Sequence, residues 1–221
     1  MVVTNSFSSC SDDDFNHISI ASQLGIKTPK TALLPSKWLP KNLAPESMRN
    51  LIFPLNWDDM FDYVGFPAYL KSNTSCGVLH DYKVYNKSEF YSAYELTGAN
   101  LMILQEALNY SDYYRAFVIG KKYVRIVKYA PSKPLHLRYS PEEHGLSKQM
   151  VEKITKIAIQ ISKKLDYDYN AIEFAIVGDD LYAVEFKNSI PQIERHILYD
   201  STYDWLVNQT SDYLIELCSD I

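Results

Sequence analysis

The segment that most restricts the fold of this chain is "NAIEFAIVGDDLYAVEFKN", residues 170–188. Two runs of alternating apolar residues meet at a loop of glycine and aspartate, which is the pattern of a β-hairpin. A three-residue loop, residues 178–180, places Glu173 directly opposite Glu185, because opposed residues of an antiparallel pair share a face. A loop of two or four residues would put the glutamates on opposite faces. The sequence therefore predicts a β-ribbon with two facing carboxylates.

In that register the ribbon has a core face and a face that surrounds the two glutamates. The core face is Ile172, Phe174, Ile176, Tyr182, Val184 and Phe186. The other face is Ala171, Glu173, Ala175, Val177, Leu181, Ala183, Glu185 and Lys187. Opposed like charges are destabilising unless a positive group lies between them. Mg²⁺, which binds carboxylate and amide oxygens, is one such group. The alternative is that one glutamate pairs with Lys187 or another base and the face is half exposed.

The rest of the chain predicts an α+β protein with two antiparallel pieces. Helices are predicted at residues 13–24, in "SEFYSAYELTG", in "LSKQMVEKITKIAIQISKKL" and from Ser201, where "STYD" has the form of a capping box. Strands are predicted in "KTALLP", "FPAYLKS", "DYKVYN", "LMILQEAL" and the hairpin "YRAFVIGKKYVRIVKY". Four prolines between residues 35 and 58 indicate an irregular connector. We expect an N-terminal lobe of residues 1–108 and a C-terminal lobe of residues 109–221 that carries the carboxylate pair.

Charge and composition exclude several classes of function. The 221 residues carry a net charge of −5 and have no Lys/Arg cluster of the kind that follows a nucleic-acid backbone. No apolar run approaches the roughly 20 residues of a membrane span, and the N-terminus lacks the basic flank and apolar stretch of a secretion signal. Cys10, Cys76 and Cys218 have no metal-ligand spacing and suit a reducing compartment. These features predict a cytoplasmic globular protein that binds neither nucleic acid nor membrane.

Four segments occur in an order that resembles the ATP-grasp superfamily, in particular its glutathione-synthase-like carboxylate–amine ligases. They are "GFPAYLK", "LMILQEAL", "YYRAFVIGKKYVRIVKY" and "NAIEFAIVGDDLYAVEFKNSIP", and the resemblance extends from about residue 11 to residue 217. It implies an α+β fold of two lobes with antiparallel sheets and packed helices, and ATP held between the lobes with Mg²⁺ bridging its phosphates. Such enzymes phosphorylate a small-molecule or peptide carboxylate, and an amine then displaces the phosphate to give an amide.

The resemblance also implies nucleotide contacts for residues of this sequence. Lys71, at the end of "GFPAYLK", resembles a lysine that contacts the phosphates; the alternative is a surface lysine at a strand end. Gln105, Glu106 and Leu108 resemble the hinge that binds adenine, and the alternative is that they only end a buried strand. Asp112 resembles the residue that binds the ribose hydroxyls, although a plain loop aspartate fits equally well.

Catalytic and metal-binding roles are implied for the two hairpins. Arg115 and Lys128 resemble basic residues that neutralise the transferring phosphoryl group or the substrate carboxylate, where positioned charge supplies most of the catalysis. Arg125 and Arg138 fit either such a role or a surface position. The implied metal ligands are Glu173, Glu185 and Asn188. The gap between Glu and Asn is often two residues in the superfamily and is three here, so Lys187 occupies the place where Asn is expected.

Three departures from the family keep other interpretations open. Relatives usually carry an N-terminal substrate-binding domain, whereas residues 1–10 precede the similar segment, so we expect a substrate site that is incomplete or is completed by a second protein chain. Asp14 replaces a lysine near the start of the first helix and cannot attract a phosphate. The loop "SNTSCGVLHD" after Lys71 has one glycine, where backbone N–H groups normally close over phosphates. The alternatives to a ligase are a degenerate, non-catalytic ATP-grasp protein that binds nucleotide or a partner, and an unrelated α+β interaction module.

Overall fold

Two compact units make up the part of the chain that the computed structural model describes, which is residues 13–35, 37, 55–74, 81–140, 144–187 and 193–219. The smaller unit contains Asp13–Phe15 and Pro29–Leu108, and the larger unit contains Asn16–Thr28 and the residues from Asn109 onward. No helix among the described residues has the length and hydropathy needed to cross a membrane.

The smaller unit is built on a four-stranded antiparallel sheet. Its strands, in spatial order, are β1 (Thr31–Leu33), β4 (Met102–Glu106), β2 (Ala68–Ser72) and β3 (Tyr82–Val84). The central strand β4 is buried from Met102 to Gln105, whereas its neighbour β2 buries Ala68 and Leu70. Because β2 and β4 are antiparallel, Lys71 near the end of β2 lies opposite Ile103 near the start of β4.

Two helices cover this sheet with aromatic side chains. Helices α2 (Trp57–Val64) and α3 (Lys87–Glu95) each follow an asparagine, Asn56 or Asn86, whose side chain accepts a hydrogen bond from a backbone N–H of the first turn. Helix α2 was not predicted, although Asn56 before it and Gly65 after it are start and stop signals. The core of the unit includes Phe61, Val64, Leu70, Phe90, Tyr94 and Leu104.

The larger unit is built on a second antiparallel sheet with the strand order β6, β5, β7, β8. The strands are β5 (Asp112–Ile119), β6 (Tyr123–Lys128), β7 (Tyr169–Val177) and β8 (Asp180–Lys187). Helix α4 (Lys148–Leu165) packs on one face through Ile154, Ala158 and Ile161, which are fully buried. The last helix, α5 (Asp200–Ser219), begins one residue before Ser201.

Helix α1 (Asp14–Gln23) belongs mainly to the larger unit, although the sequence predicts it within a lobe of residues 1–108. Its apolar residues Ile18 and Ala21 are part of the same core cluster as Phe186 of β8. Just beyond the helix, the carbonyl of Lys27 accepts a hydrogen bond from the backbone N–H of Ala183 at 2.9 Å. The two units are therefore not two continuous halves of the sequence, because α1, near the N-terminus, is part of the core that includes the C-terminal hairpin.

The hairpin of β7 and β8 has a two-residue loop, and not the three-residue loop that the sequence predicts. Val177 pairs with Asp180, which leaves Gly178 and Asp179 as the loop. Gly178 has a φ of 59°, which suits the first loop position of a type II′ turn. Continued along the ribbon, this register would place Glu173 and Glu185 on opposite faces.

A β-bulge restores the facing glutamates. Phe174 lies opposite Ala183, whereas the preceding Glu173 lies opposite Glu185, so Val184 is the extra residue on β8. The predicted cross-strand pair is therefore observed, for a different reason from the one predicted. Before the bulge, the faces of β8 are the reverse of those predicted. The residues buried in the core are Leu181 and Ala183, and the half-buried ones are Tyr182 and Val184.

Gly120, in the loop between β5 and β6, is a position where a side chain should destabilise the larger unit. Its φ is 59°, and a Cβ there would lie 2.6 Å from a ring carbon of Tyr213 on α5. We expect Gly120→Ala to lower the free energy of unfolding by about 3 kcal/mol, because a left-handed backbone and an overpacked contact both cost energy. Gly178→Ala is the matched control, since its φ is also 59° but nothing lies within 4 Å of the added atom. Urea unfolding followed by circular dichroism measures both, and equal losses would contradict the predicted clash.

Candidate functional site

Arg115 and Glu173 form a buried ion pair in the sheet of the larger unit. They lie opposite each other on β5 and β7, and their side chains are 1% and 2% exposed. Arg115 Nε donates a hydrogen bond to Glu173 Oε1 at 3.2 Å, and Nη2 donates to the same oxygen. A buried ion pair offsets its desolvation only when its other polar atoms also find partners.

Three tyrosines supply those partners. The hydroxyl of Tyr113 donates to Glu173 Oε2 at 2.7 Å. The hydroxyl of Tyr139 accepts from Arg115 Nη1 at 2.5 Å, and that of Tyr129 accepts from Nη2 at 2.9 Å. Four of the five N–H groups of the guanidinium therefore donate within this set of five residues. We name the five residues the Arg115 cluster.

Burial sets the protonation of the Arg115 cluster. Burial raises the pKa of Tyr113 well above its ordinary value, and the charge of Glu173 raises that pKa further. Burial also raises the pKa of Tyr129 and the pKa of Tyr139. For Arg115, burial alone would lower the pKa, but the carboxylate of Glu173 outweighs it and the pKa is raised. At neutral pH the guanidinium of Arg115 is therefore charged and the three phenols are neutral.

Glu185 lies beside this cluster, opposite Glu173, and is half-buried. Two neighbouring carboxylates have the oxygen chemistry that Mg²⁺ prefers. Both oxygens of Glu173, however, already accept hydrogen bonds from Arg115 or Tyr113, and its side chain is closed to solvent. Within the described residues, no three His, Cys, Asp or Glu side chains form a group that could hold a metal ion. Asn188, the third implied ligand, lies outside the described residues, and the role of Glu185 as a ligand of Mg²⁺ stays a prediction.

Lys128 and Asp112 form an ion pair at one end of the same sheet, with Nζ and Oδ1 3.1 Å apart. Lys128 lies opposite Tyr114, whereas Arg115 lies opposite Val127, so the two cations are on alternate sides of the ribbon. The resemblance implies a common role for Lys128 and Arg115 at the phosphoryl group or at the substrate carboxylate, and for Asp112 either ribose binding or a plain loop position. The structure instead pairs Lys128 with Asp112 and encloses Arg115 in its own cluster.

In the smaller unit, the residues implied to contact ATP lie on neighbouring strands. Lys71 Nζ on β2 donates to Gln105 Oε1 on β4, with 3.4 Å between the atoms. Gln105 is buried, and its amide nitrogen donates to Thr31 Oγ1 at 3.3 Å. Glu106 and Leu108 follow at the end of β4, and both are half-buried. The structure therefore brings Lys71 and Gln105 together and holds the side chain of Gln105 between two partners.

The tyrosines of the Arg115 cluster were not predicted from the sequence. Tyr113 precedes Arg115 by two residues on β5, and the alternation of a strand puts both on one face, so that signal was present. Tyr129 extends β6 by one bridging residue. Tyr139 carries no sequence signal, because it pairs with Tyr129 from beyond a 3₁₀ turn at Leu135–Leu137.

Solved structures of similar fold were found across most of the chain. The D-alanine–D-alanine ligase of Bacillus anthracis has a TM-score of 0.68 at 19% identity, covering 95% of this chain and 66% of the ligase. The VanG D-Ala:D-Ser ligase of Enterococcus faecalis has a TM-score of 0.69 at 17% identity, covering 95% and 62%. The N5-carboxyaminoimidazole ribonucleotide synthetase of Thermus thermophilus has a TM-score of 0.60 at 19% identity, covering 82% and 46%. The chain spans less than two thirds of the length of each of these proteins.

No protein-family model and no curated protein sequence matches the chain. The likeness to the solved structures is thus a likeness of fold at low sequence identity. D-alanine–D-alanine ligases and carboxyaminoimidazole ribonucleotide synthetases are ATP-grasp enzymes. The described residues form two antiparallel sheets and five helices, so the predicted α+β class is confirmed. The chain has the ATP-grasp fold.

Proposed function

We propose that the protein is an ATP-dependent ligase that joins a carboxylate to an amine. The observation that carries this proposal is where the four ordered segments fall: on β2, on β4, on β5 with β6, and on β7 with β8 of an ATP-grasp fold. Solved structures of the same fold are named as D-alanine–D-alanine and D-Ala:D-Ser ligases, and one of them is complexed with ATP. These likenesses support ATP use and the formation of a carbon–nitrogen bond.

The proposed reaction consists of two displacements. A carboxylate oxygen of the acid attacks the γ-phosphorus of ATP, and the bond from that phosphorus to ADP breaks, giving an acyl phosphate. The amine nitrogen then attacks the acyl carbon, loses a proton and displaces inorganic phosphate, which leaves an amide. Negative charge shifts among phosphate oxygens in the first step, so positioned cations supply most of the catalysis.

The residues of the chain have separate roles in this proposal. Lys71 binds phosphate oxygens through its ammonium, and Gln105 orients that ammonium by accepting a hydrogen bond from it. Mg²⁺, when bound, supplies positive charge at the phosphates, and Glu185 is the described side chain that would hold it. Arg115 is enclosed, and it acts as a positioning residue that fixes Glu173 and the strand face beside Glu185.

A second candidate function is nucleotide binding without ligase activity. Two cations implied to be catalytic have internal counter-ions: Arg115 pairs with Glu173, and Lys128 pairs with Asp112. A cation that is neutralised internally attracts a transferring phosphoryl group less strongly. Measurement of ADP formation distinguishes the two candidate functions. ADP formed from ATP after addition of an acid and an amine supports the ligase, whereas ATP binding without ADP formation over a broad panel of acids and amines supports the second function.

Calorimetric titration with ATP and Mg²⁺ tests the proposed roles of Lys71 and Glu185 separately. We expect Lys71→Ala to weaken ATP binding by roughly tenfold to a hundredfold, the usual loss for a hydrogen bond to a charged group. We expect Glu185→Gln to remove most of the dependence of ATP binding on Mg²⁺, because it removes the charge of the metal ligand. Lys87→Ala and Glu152→Gln are the matched controls, since both side chains are exposed and lie on helices of the same units. Each variant is first checked for an unchanged Tm.

Two results of that titration would contradict the proposal. The first is that ATP with Mg²⁺ gives neither heat nor a rise in Tm with the unmodified protein, since a ligand that binds the folded state must stabilise it. The second is that Lys71→Ala binds ATP as tightly as Lys87→Ala does, which would remove this lysine from the site.

A further inference from the structure

A cavity of about 510 Å³ lies next to the Arg115 cluster in the larger unit. Its lining residues come from the end of β6, from the segment around the 3₁₀ turn, and from Tyr199, just before α5. Two tyrosines of the cluster, Tyr129 and Tyr139, contribute to its wall. Because the hydroxyls of these tyrosines accept hydrogen bonds from Arg115, this part of the wall is fixed before any ligand arrives. We name the cavity the Tyr199 pocket, after the aromatic residue that lines it just before α5.

The charged side chains that line the Tyr199 pocket, among the described residues, are positive. Lys128, Lys133 and Arg138 line it, and no Asp or Glu is among the described residues that do so. Lys128 has a counter-ion in Asp112. Arg138 donates to neutral acceptors, from Nε to the carbonyl of Lys133 at 2.9 Å and from Nη1 to the hydroxyl of Tyr129 at 3.2 Å. These two bonds orient the guanidinium without neutralising it, and its planar fork suits an oxyanion.

An apolar surface adjoins these cations. Leu137 is 53% exposed and Tyr199 is 42% exposed, and both line the pocket. Large apolar side chains that stay exposed beside convergent polar groups are typical of ligand pockets. A small inorganic anion would use the cations and leave this apolar surface in water. The pocket therefore fits a ligand with an anionic group at one end and an apolar body at the other.

We propose that the Tyr199 pocket binds an acid with an apolar or aromatic body. The oxyanion of the acid contacts Arg138 and Lys133, and its body covers Leu137 and Tyr199. We further infer that such an acid is the carboxylate substrate of the ligase, an inference that rests on the proposed function. Binding of the acid itself requires neither ATP nor turnover, so the two proposals are tested separately.

Ligand-observed NMR titrations with benzoate, acetate and benzamide test this pocket. Benzoate has both the charge and the ring, acetate lacks the ring, and benzamide lacks the charge. We expect benzoate to bind at least about tenfold more tightly than either, because each comparison removes a buried apolar surface or a charged hydrogen bond. Phenyl phosphate shows whether the anionic group is a carboxylate or a phosphate: weaker binding than benzoate is expected for a pocket that selects a carboxylic acid.

Substitutions of lining residues test whether benzoate binds in this pocket. We expect Arg138→Gln and Lys133→Ala each to weaken benzoate binding by roughly tenfold, and Lys148→Ala, an exposed lysine of α4 in the same unit, to leave it unchanged. Lys133 is exposed, so its variant tests the pocket even if Arg138→Gln lowers the Tm.

Three results would overturn the pocket proposal. One is equal binding of benzoate and benzamide, and another is unchanged benzoate binding in both pocket variants. The third is displacement of benzoate by saturating ATP, which would make the pocket part of the nucleotide site. Absence of ATP binding would overturn the proposed function and leave the benzoate titration as an independent result.

Discussion

Arg115→Met is expected to lower the free energy of unfolding by about 3–5 kcal/mol, because it leaves a buried carboxylate without its cation. Glu173 is 1% exposed. After the substitution its carboxylate would keep the hydrogen bond from Tyr113 and lose those from Arg115. Tyr129 and Tyr139 would also lose their donor. In a chain of this size the loss corresponds to a fall in Tm of roughly 10 °C. Thermal and urea unfolding followed by circular dichroism measure it.

Arg195→Met is the matched control for that substitution. Arg195 and Asp200 form an ion pair in the same unit with 3.6 Å between Nε and Oδ1, but both side chains are exposed. Exposed pairs contribute little, so we expect a change of about 0.5 kcal/mol or less. Equal losses for Arg115→Met and Arg195→Met would contradict the description of Arg115 as the counter-ion of a buried carboxylate.

A double substitution separates the missing charge from the missing volume. Arg115→Met with Glu173→Leu removes both charges and fills the space with apolar atoms, a change that is often close to neutral for a buried ion pair. We expect the double variant to be more stable than Arg115→Met alone. It should still be less stable than the original protein, because Tyr113, Tyr129 and Tyr139 lose hydrogen-bond partners in a buried site.

The hairpin of β7 and β8 illustrates how far the sequence alone can predict this site. Alternation predicts both strands, and the facing pair of Glu173 and Glu185 is found. The sequence "GDD" does not determine the loop length, because Gly followed by Asp suits loops of two and of three residues. The bulge at Val184 has no signature, since valine fits a regular strand as well as a bulge. Two unpredicted features compensated each other and gave the predicted pair.

Contacts between distant segments explain what the sequence did not predict. Helix α1 joins the larger unit through Ile18 and Ala21, whose apolar character would suit either unit equally. The implied partners of Arg115 were a substrate or a phosphate, yet the structure gives it Glu173, 58 positions away in sequence, and Tyr139 from beyond a turn. A pattern of residue types reports which face of a strand is polar. It does not report which polar groups neutralise one another.

Raising the pH above about 10 is expected to destabilise the protein steeply, because three tyrosines of the Arg115 cluster hold their protons in the folded state. Burial raises the pKa of Tyr113, Tyr129 and Tyr139 above the value of about 10 that a tyrosine has in an unfolded chain. The folded protein therefore binds more protons than the unfolded chain in this range. The stability that these groups contribute is fully present below about pH 10 and is lost as the pH rises toward the folded pKa. Between its unfolded and its folded pKa, each tyrosine contributes a loss of at most about 1.4 kcal/mol per pH unit.

Urea unfolding at a series of alkaline pH values measures this slope, and Tyr139→Phe assigns it. Lysines in surface ion pairs, such as Lys27 with Asp180, also have a raised pKa and lose stability in the same direction, so the slope of the unmodified protein is not specific to tyrosine. Tyr139→Phe should make the slope shallower by about 1.4 kcal/mol per pH unit, since one buried phenol is removed. At neutral pH the same variant should lose about 1 kcal/mol with the hydrogen bond from Arg115. Tyr63→Phe, which removes a phenol that is 55% exposed, is the control and should change neither quantity. An unchanged slope in Tyr139→Phe would mean that this phenol ionises as readily in the folded protein as in the unfolded chain, which is incompatible with its place between Arg115 and the core.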